Sequence, residues 1–162
     1  MTITWRSAPF DQLTPSEIHD MLQARSAAFV VEQNCVFLDI DGVDPQCWHL
    51  VGYRDRELVA TARLVPPGTK FAEPSIGRVV TTSAVRGTGL GRQLMREAIA
   101  QAGKLWPRQA IRIAAQAQLE KFYGSLGFTA ASPAYMEDGI LHVDMVRPAS
   151  TVPDRAGQTV GQ

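Results

Sequence analysis

The chain has 162 residues, 45% hydrophobic and 20% charged, enough for one globular domain with a sizeable core and too short for two. Its 16 basic and 16 acidic side chains cancel, which excludes a global field able to hold nucleic acid or an anionic membrane. The longest apolar runs are too short to span a bilayer, the start lacks the layout of a secretory leader, and Cys35 and Cys47 are too few for a disulfide framework, so a cytoplasmic protein is expected.

A first strand is expected over 3–6. Thr14-Pro15-Ser16-Glu17 then opens a helix, since Thr14 can cap free amides, Pro15 has the φ of a first turn and Glu17 can complete a capping box. Ile18, Met21, Leu22, Arg25, Ala28 and Phe29 recur at three- and four-residue spacing, giving this helix one buried face before it passes into a loop. Residues 48–53 and 58–65 read as strands joined by the polar tetrapeptide Arg54-Asp55-Arg56-Glu57, and Pro66-Pro67-Gly68 stops the second. A β-branched run at 76–81 leads through glycines into a helix with Leu90, Leu94, Met95, Ala98, Ile99 and Ala102 on one side. A strand at 110–115, a short helix at 119–126, a return at Gly127-Phe128 and a hairpin about Glu137-Asp138-Gly139, with 141–146 as its second arm, complete the pattern. Hairpins in the first half and alternating strands and helices in the second predict an α/β (α+β) domain over 1–147, a mixed sheet flanked by helices. From Pro148 the chain is polar and aperiodic, and 148–162 is expected to be a disordered tail.

Arg86-Gly87-Thr88-Gly89-Leu90-Gly91 passes from strand to helix through alternating glycines, which brings backbone amides close to an anion at a helix N-terminus. A P-loop would end Gly-Lys-Ser/Thr, whereas this loop ends Gly89-Leu90-Gly91-Arg92; a dinucleotide fingerprint spaces its glycines differently and opens a βαβ unit. By itself the loop also fits an ordinary turn whose glycines serve only positive φ.

At these residues the sequence resembles the GNAT superfamily of N-acetyltransferases, whose signature Gln/Arg-x-x-Gly-x-Gly/Ala it satisfies in full. The resemblance implies a mostly antiparallel central sheet with two splayed parallel strands, 76–81 and 110–115, forming a cleft for acetyl-CoA as co-substrate, without a metal. It implies that amides of Gly87, Thr88, Gly89, Leu90, Gly91 and Arg92, with Arg86, hold the pyrophosphate, and that Val79, Val80 and Thr81 run beside the pantetheine. Tyr123-Gly124-Ser125-Leu126-Gly127-Phe128 matches the family's later motif, while Gln116 stands where an Asn is usual. Within the superfamily the chain is similar to the ElaA-like branch, through Phe29-Val30-Val31-Glu32-Gln33, Asp39-Ile40-Asp41-Gly42-Val43-Asp44, Gly77-Arg78-Val79-Val80 and Glu137-Asp138-Gly139-Ile140-Leu141-His142. Homodimers are compatible with such a fold.

Acetyl transfer to a primary amine by direct attack in a ternary complex needs a neutral amine, a stabilised oxyanion and a proton for the thiolate. Freeing an alkyl amine of its proton at pH 7 costs about 4–5 kcal/mol. Glu32, His49, Asp41, Asp44 and Glu137 are candidates to collect it, Glu32 being the one assigned to catalysis. The resemblance makes Tyr123 the donor to the leaving thiolate; a full proton transfer is uphill by roughly 2 kcal/mol, so a hydrogen bond is expected. Without the resemblance, Tyr123 reads as packing beside Phe122 and Phe128.

Residues 32–44 carry Glu32, Asp39, Asp41 and Asp44 with no Lys or Arg, which predicts a surface for a cationic small-molecule or peptide amine, or a plain solvated loop. Arg25 and Phe29, Asp41 and Asp44, and Arg63-Leu64 before Pro66 also resemble acyl-homoserine-lactone synthases, an alternative activity that supports the first helix and acidic loop as the acceptor side; Arg25, Phe29, Asp41, Asp44 and His49 are the residues expected to bind the acceptor. A non-catalytic acyl-CoA sensor is the alternative outside enzymes. Cys35, Cys47, His49 and His142 match no zinc spacing, and no basic-aromatic pattern points to nucleic acid.

Overall fold

The computed structural model of the protein describes residues 1–150; 151–162, most of the expected tail, lie outside the described residues. Strands β1 (Thr4–Pro9), β2 (Trp48–Arg54), β3 (Glu57–Val65) and β4 (Ser75–Thr81) form an antiparallel sheet in that order. In a second sheet β5 (Ile111–Gln116), β6 (Thr129–Ala130) and β7 (Tyr135–Glu137) all pair antiparallel with β8 (Ile140–Arg147). Strand β4 edges the first sheet and β5 the second. The two meet where both begin, the Arg112 amide donating to the Pro74 carbonyl at 3.0 Å, and past that joint no ladder connects them.

Helix α1 (Pro15–Arg25) starts as its sequence dictates: the Glu17 amide donates to Thr14 Oγ1 at 3.1 Å and the Thr14 amide to Glu17 Oε1 at 2.8 Å. It then widens into a π-helical stretch, Ser26–Glu32, which takes in Ala28 and Phe29 of the expected helix and continues where a loop was expected. Such widening recurs at functional sites, and here it carries Phe29 and Glu32 to the cleft described below. Helix α2 (Leu90–Leu105) buries Leu90, Leu94, Met95, Ala98 and Ala102 in a core shared with Leu64, Ile76, Ile113 and Phe128. Helix α1 covers the opposite side, Met21 and Ala24 packing with Val51, Leu58 and Val80. Because β3 is covered on both faces, it is buried continuously from Leu58 to Val65 rather than in alternation, Thr61 and Arg63 being its buried polar side chains. The β2–β3 connection is tighter than the tetrapeptide expected, with only Asp55 and Arg56 between the strands and Asp55 at φ +55°. Helix α3 (Glu120–Gly124) is a short piece within the expected 119–126.

Candidate active site

A cleft of about 470 Å³ opens where β4 and β5 part. Val79 and Thr81 line it from β4, Ile113, Ala114 and Gln116 from β5, Tyr123 from α3, and Phe29 and Glu32 from the π-helical stretch. Val80 points the other way, 4% exposed in the core beneath α1, because neighbouring side chains alternate across a strand. The β3–β4 register slips here: Thr61 faces Val80 while Arg63 faces Gly77, and Arg78, at φ +48°, occupies the extra place. This bulge interrupts the ladder on the cleft edge.

At the end of β4, fully buried Val85 anchors the glycine loop, and Thr88 Oγ1 donates to the Val85 carbonyl at 2.5 Å. Gly87 and Gly89 stand at φ +82° and +83°, a region other residues enter only with strain, so the loop curls into the N-terminus of α2. No side chain caps that terminus, and the backbone amides from Gly87 to Arg92 donate to no acceptor among the described residues. A row of unmet N–H donors at the positive end of a 16-residue helix is a seat for phosphate oxygens. Arg86 reaches across the mouth, its guanidinium donating to both carboxylate oxygens of Glu32 at 2.6 and 3.0 Å. Arg92 instead turns to α3, donating to Ser125 Oγ at 2.9 Å and lying over the Phe122 ring.

Tyr123 packs edge-on between Phe122 and Phe128, as its apolar neighbours predict, and still reaches the cleft. Its hydroxyl has no hydrogen-bond partner among the described residues, and burial pushes its pKa up to about 12. It is therefore a phenol at every working pH, a donor with no acceptor among the described residues. On the facing strand, Gln118 Nε2 donates to Gln116 Oε1 at 3.2 Å, which leaves the Gln116 amide nitrogen for a carbonyl in the cleft.

The acidic stretch is not a free negative surface. Arg25 donates to Asp39 at 3.0 Å and to Asp44 at 2.8 Å; Arg63 donates to Asp41 at 2.9 Å and to Asp44 at 3.1 Å. Arg78 donates to Asp41 at 3.3 Å, and its Nε lies 2.7 Å from Asp39 Oδ1 without the alignment of a hydrogen bond. Three arginines from α1, β3 and β4 thus neutralise three aspartates. Burial raises the Asp41 pKa, but hydrogen bonds from Arg63 and the Val43 amide and the nearby guanidinium charges outweigh it and hold the carboxyl at about 2. Asp44 is likewise held down, the bonds and charge of Arg25 and Arg63 overcoming burial.

A profile of the acetyltransferase (GNAT) domain family matches residues 38–148. The chain belongs to the GNAT acetyltransferase family. Over 147 residues it is 43% identical to the UPF0039 protein sll0451 of Synechocystis sp., an alignment covering 90% of this chain and 96% of that one. Among solved structures it is similar to an acyl-CoA N-acyltransferase from Pseudomonas aeruginosa, at 40% identity and TM-score 0.86, and to Escherichia coli ElaA, at 38% and 0.85. Each of those two alignments covers 90% of this chain and 99% of the other. The ElaA-like resemblance and the GNAT fold are therefore established.

Within this GNAT domain, the residues expected at the site outside the glycine loop divide into those that line the cleft or its neighbouring hollow and those that, like Val80, do not. Val79, Thr81, Arg86, Gln116, Tyr123, Phe29 and Glu32 gather on the main cleft, and Asp41 lines an adjoining hollow of about 430 Å³ that shares Phe37, Lys70 and Arg78 with it. Arg25, Asp44 and His49 do not reach either space: they are 1%, 3% and 0% exposed, and the His49 ring donates from Nε2 to the Asp44 carbonyl at 2.9 Å. Burial lowers the His49 pKa, so it stays neutral inside the wall. Asp41 and Asp44 are paired with arginines, which the local sequence did not reveal because they come from three other elements. Conversely, Cys35, Phe37, Lys70, Arg78 and His142 line the cleft without having been assigned there. Arg78 and His142 lie in the ElaA-like segments, the one signal that marked their neighbourhoods.

Proposed function

We propose that this protein transfers an acetyl group from acetyl-CoA to a primary amine, by direct attack while both are bound. The observation that carries this reading is the unpartnered row of amides from Gly87 to Arg92, which follows directly on Arg86 in the lining of a cleft that Tyr123, its hydroxyl unpartnered among the described residues, also lines. The amides, with Arg86, take the pyrophosphate of the donor, and Val79, Thr81 and Gln116 flank its pantetheine arm. Tyr123 donates a hydrogen bond to sulfur as the C–S bond breaks. With its pKa at about 12 against about 8.5 for a thiol, full proton transfer is uphill by roughly 5 kcal/mol, so the bond stabilises the thiolate rather than quenching it. Glu32 acts through Arg86, which it holds beside the loop. Any pull on a cationic acceptor comes from Glu137 and Asp138 at the rim, which carry no ion pair among the described residues.

The deciding experiment incubates the protein with acetyl-CoA, and in parallel with longer acyl-CoAs, against a broad amine panel, following thiol release and acceptor mass. Mass gain on an amine, fastest with the acetyl donor, is the expected result. CoA binding without transfer to any amine favours the sensor, and absence of CoA binding removes both.

A further inference from the structure

We infer that His142 is the general base of the reaction, taking the proton of the incoming ammonium on its Nε2. This assignment rests on the transferase reading and names a residue for a role that reading leaves open.

The His142 ring is fixed by two contacts. One ring nitrogen, Nδ1, lies 2.8 Å from the Ile140 carbonyl, and since a carbonyl only accepts, Nδ1 carries the hydrogen. In the neutral ring the lone pair therefore resides on Nε2, which has no partner among the described residues. The Tyr135 ring stacks on the imidazole at 6.0 Å and 20°, and the Tyr135 hydroxyl is itself held by Asp144 at 2.5 Å. An imidazole that lines a cleft, with its tautomer set by a backbone carbonyl and its other nitrogen unpartnered among the described residues, is arranged to accept a proton.

Its place in the sheet gives it the right side of the cleft. His142 on β8 is directly opposite Gln116 on β5, so the two side chains share a face. Their neighbours Ala115 and Val143 point to the other face, into the core that contains Tyr123. The acid partner of the thiolate and the base thus approach the splayed strands from opposite faces. On the His142 side the rim consists of the loop bearing Cys35 and Phe37 and of the β7–β8 turn, tied together by the Cys35 thiol donating to the Asp138 carbonyl at 3.0 Å. The amine enters there.

The other candidates are committed elsewhere. Glu32 is engaged twice by Arg86, Asp41 and Asp44 by arginines, and His49 lies within the wall, whereas Glu137 has no ion pair among the described residues but stands exposed at the rim, on the strand that ends in the turn. The titratable and charged groups around His142 are Tyr135 and Asp144, bound to each other, Arg112 paired with the same Asp144, Glu137 and Asp138 at the turn, and Cys35 and Lys70 of the cleft lining. In the step, Nε2 takes one proton from the ammonium and releases it to solvent. The freed nitrogen pair forms the C–N bond, the C–S pair stays on sulfur beside Tyr123, and the proton shed by nitrogen as the amide forms ends on that sulfur.

The test uses His142→Asn, whose side-chain amide keeps a donor near the Nδ1 position for the Ile140 carbonyl but has no basic nitrogen. Wild type and variant are compared with acetyl-CoA and two probe amines, phenethylamine, protonated at neutral pH, and aniline, already neutral there. Transfer to phenethylamine should fall about 100-fold at neutral pH and recover as pH rises and the amine loses its own proton, while transfer to aniline stays nearly unchanged. Equal losses on both amines, or no loss on phenethylamine, overturn the assignment. Independently of any acceptor, ¹⁵N NMR of the wild type should show His142 as the Nδ1–H tautomer, and an Nε2–H tautomer also overturns it. A wild type that binds CoA yet acetylates neither probe counts against the transferase reading, separately from the tautomer result.

Discussion

Glu32 and Arg86 stand 54 positions apart in the chain and meet in a two-pronged ion pair at the mouth of the cleft. The hydrogen bond from Arg86 is the main reason the Glu32 carboxyl lies below its ordinary range, ahead of a small opposing effect of desolvation. A carboxylate so engaged is a weak base, and its position beside the first residue of the glycine signature gives it a different task.

Glu32→Gln should therefore leave the pH profile of turnover unshifted near neutrality, with the melting temperature little changed because both partners are exposed. Arg86→Ala should raise the KM for acetyl-CoA several-fold with little change in kcat. A loss of about 100-fold in kcat for Glu32→Gln, with disappearance of the acid limb, would return the base role to Glu32.

Tyr123→Phe removes a hydroxyl with no partner among the described residues, so its stability and acetyl-CoA affinity should match the wild type. Turnover should drop by about 10- to 100-fold, the scale of one lost donor to developing charge. Equal turnover at neutral and alkaline pH would reduce Tyr123 to a packing residue between Phe122 and Phe128.

Two glycine substitutions separate backbone strain from ligand contact. Gly89→Ala forces alanine to φ +83° and should destabilise the fold by about 1–2 kcal/mol as well as weaken acetyl-CoA binding. At Gly91, inside α2, a Cβ meets no atom within 4 Å and φ is not positive. Gly91→Ala should keep or slightly raise stability, by up to about 1 kcal/mol, so any loss of CoA affinity by calorimetry is a direct effect on the phosphate seat.

Asp44→Asn leaves Arg25 and Arg63 buried with one carboxylate fewer and should cost about 3–5 kcal/mol in urea denaturation. The same network sets the acid limit. Asp41 is depressed to about 2 in the folded protein, so its contribution is complete above the ordinary carboxylate range, near 4, and is lost as pH falls towards 2. Stability should therefore be level from neutrality to about pH 5 and decline below about 4.

Elements with local signals were legible in the sequence. The capping box at Thr14 and Glu17, the apolar face of α2 and the Asp138-Gly139 turn, where φ is +51° and +76°, are each written within a few residues. The glycine loop was legible for the same reason, since its unmet amides belong to one continuous segment. The surroundings of residues 32–44 were not, because Arg25, Arg63 and Arg78 reach the aspartates from α1, β3 and β4, and nothing local records that convergence. His142 was equally hidden, its orientation being set by the Ile140 carbonyl and by pairing across to Gln116.

The arginine clamp has one more consequence. Between Val36 and Asp41 the chain presents Asp39 and Asp41 inward to the guanidinium groups, while Val36, Leu38 and Ile40 face outward at 99%, 77% and 55% exposure. Anchorage and display are thus assigned to alternate residues of a single irregular segment. Its outer residues are free to diverge among related enzymes without loosening the scaffold, so a changed clientele at this rim requires no change in the machinery that grips the donor.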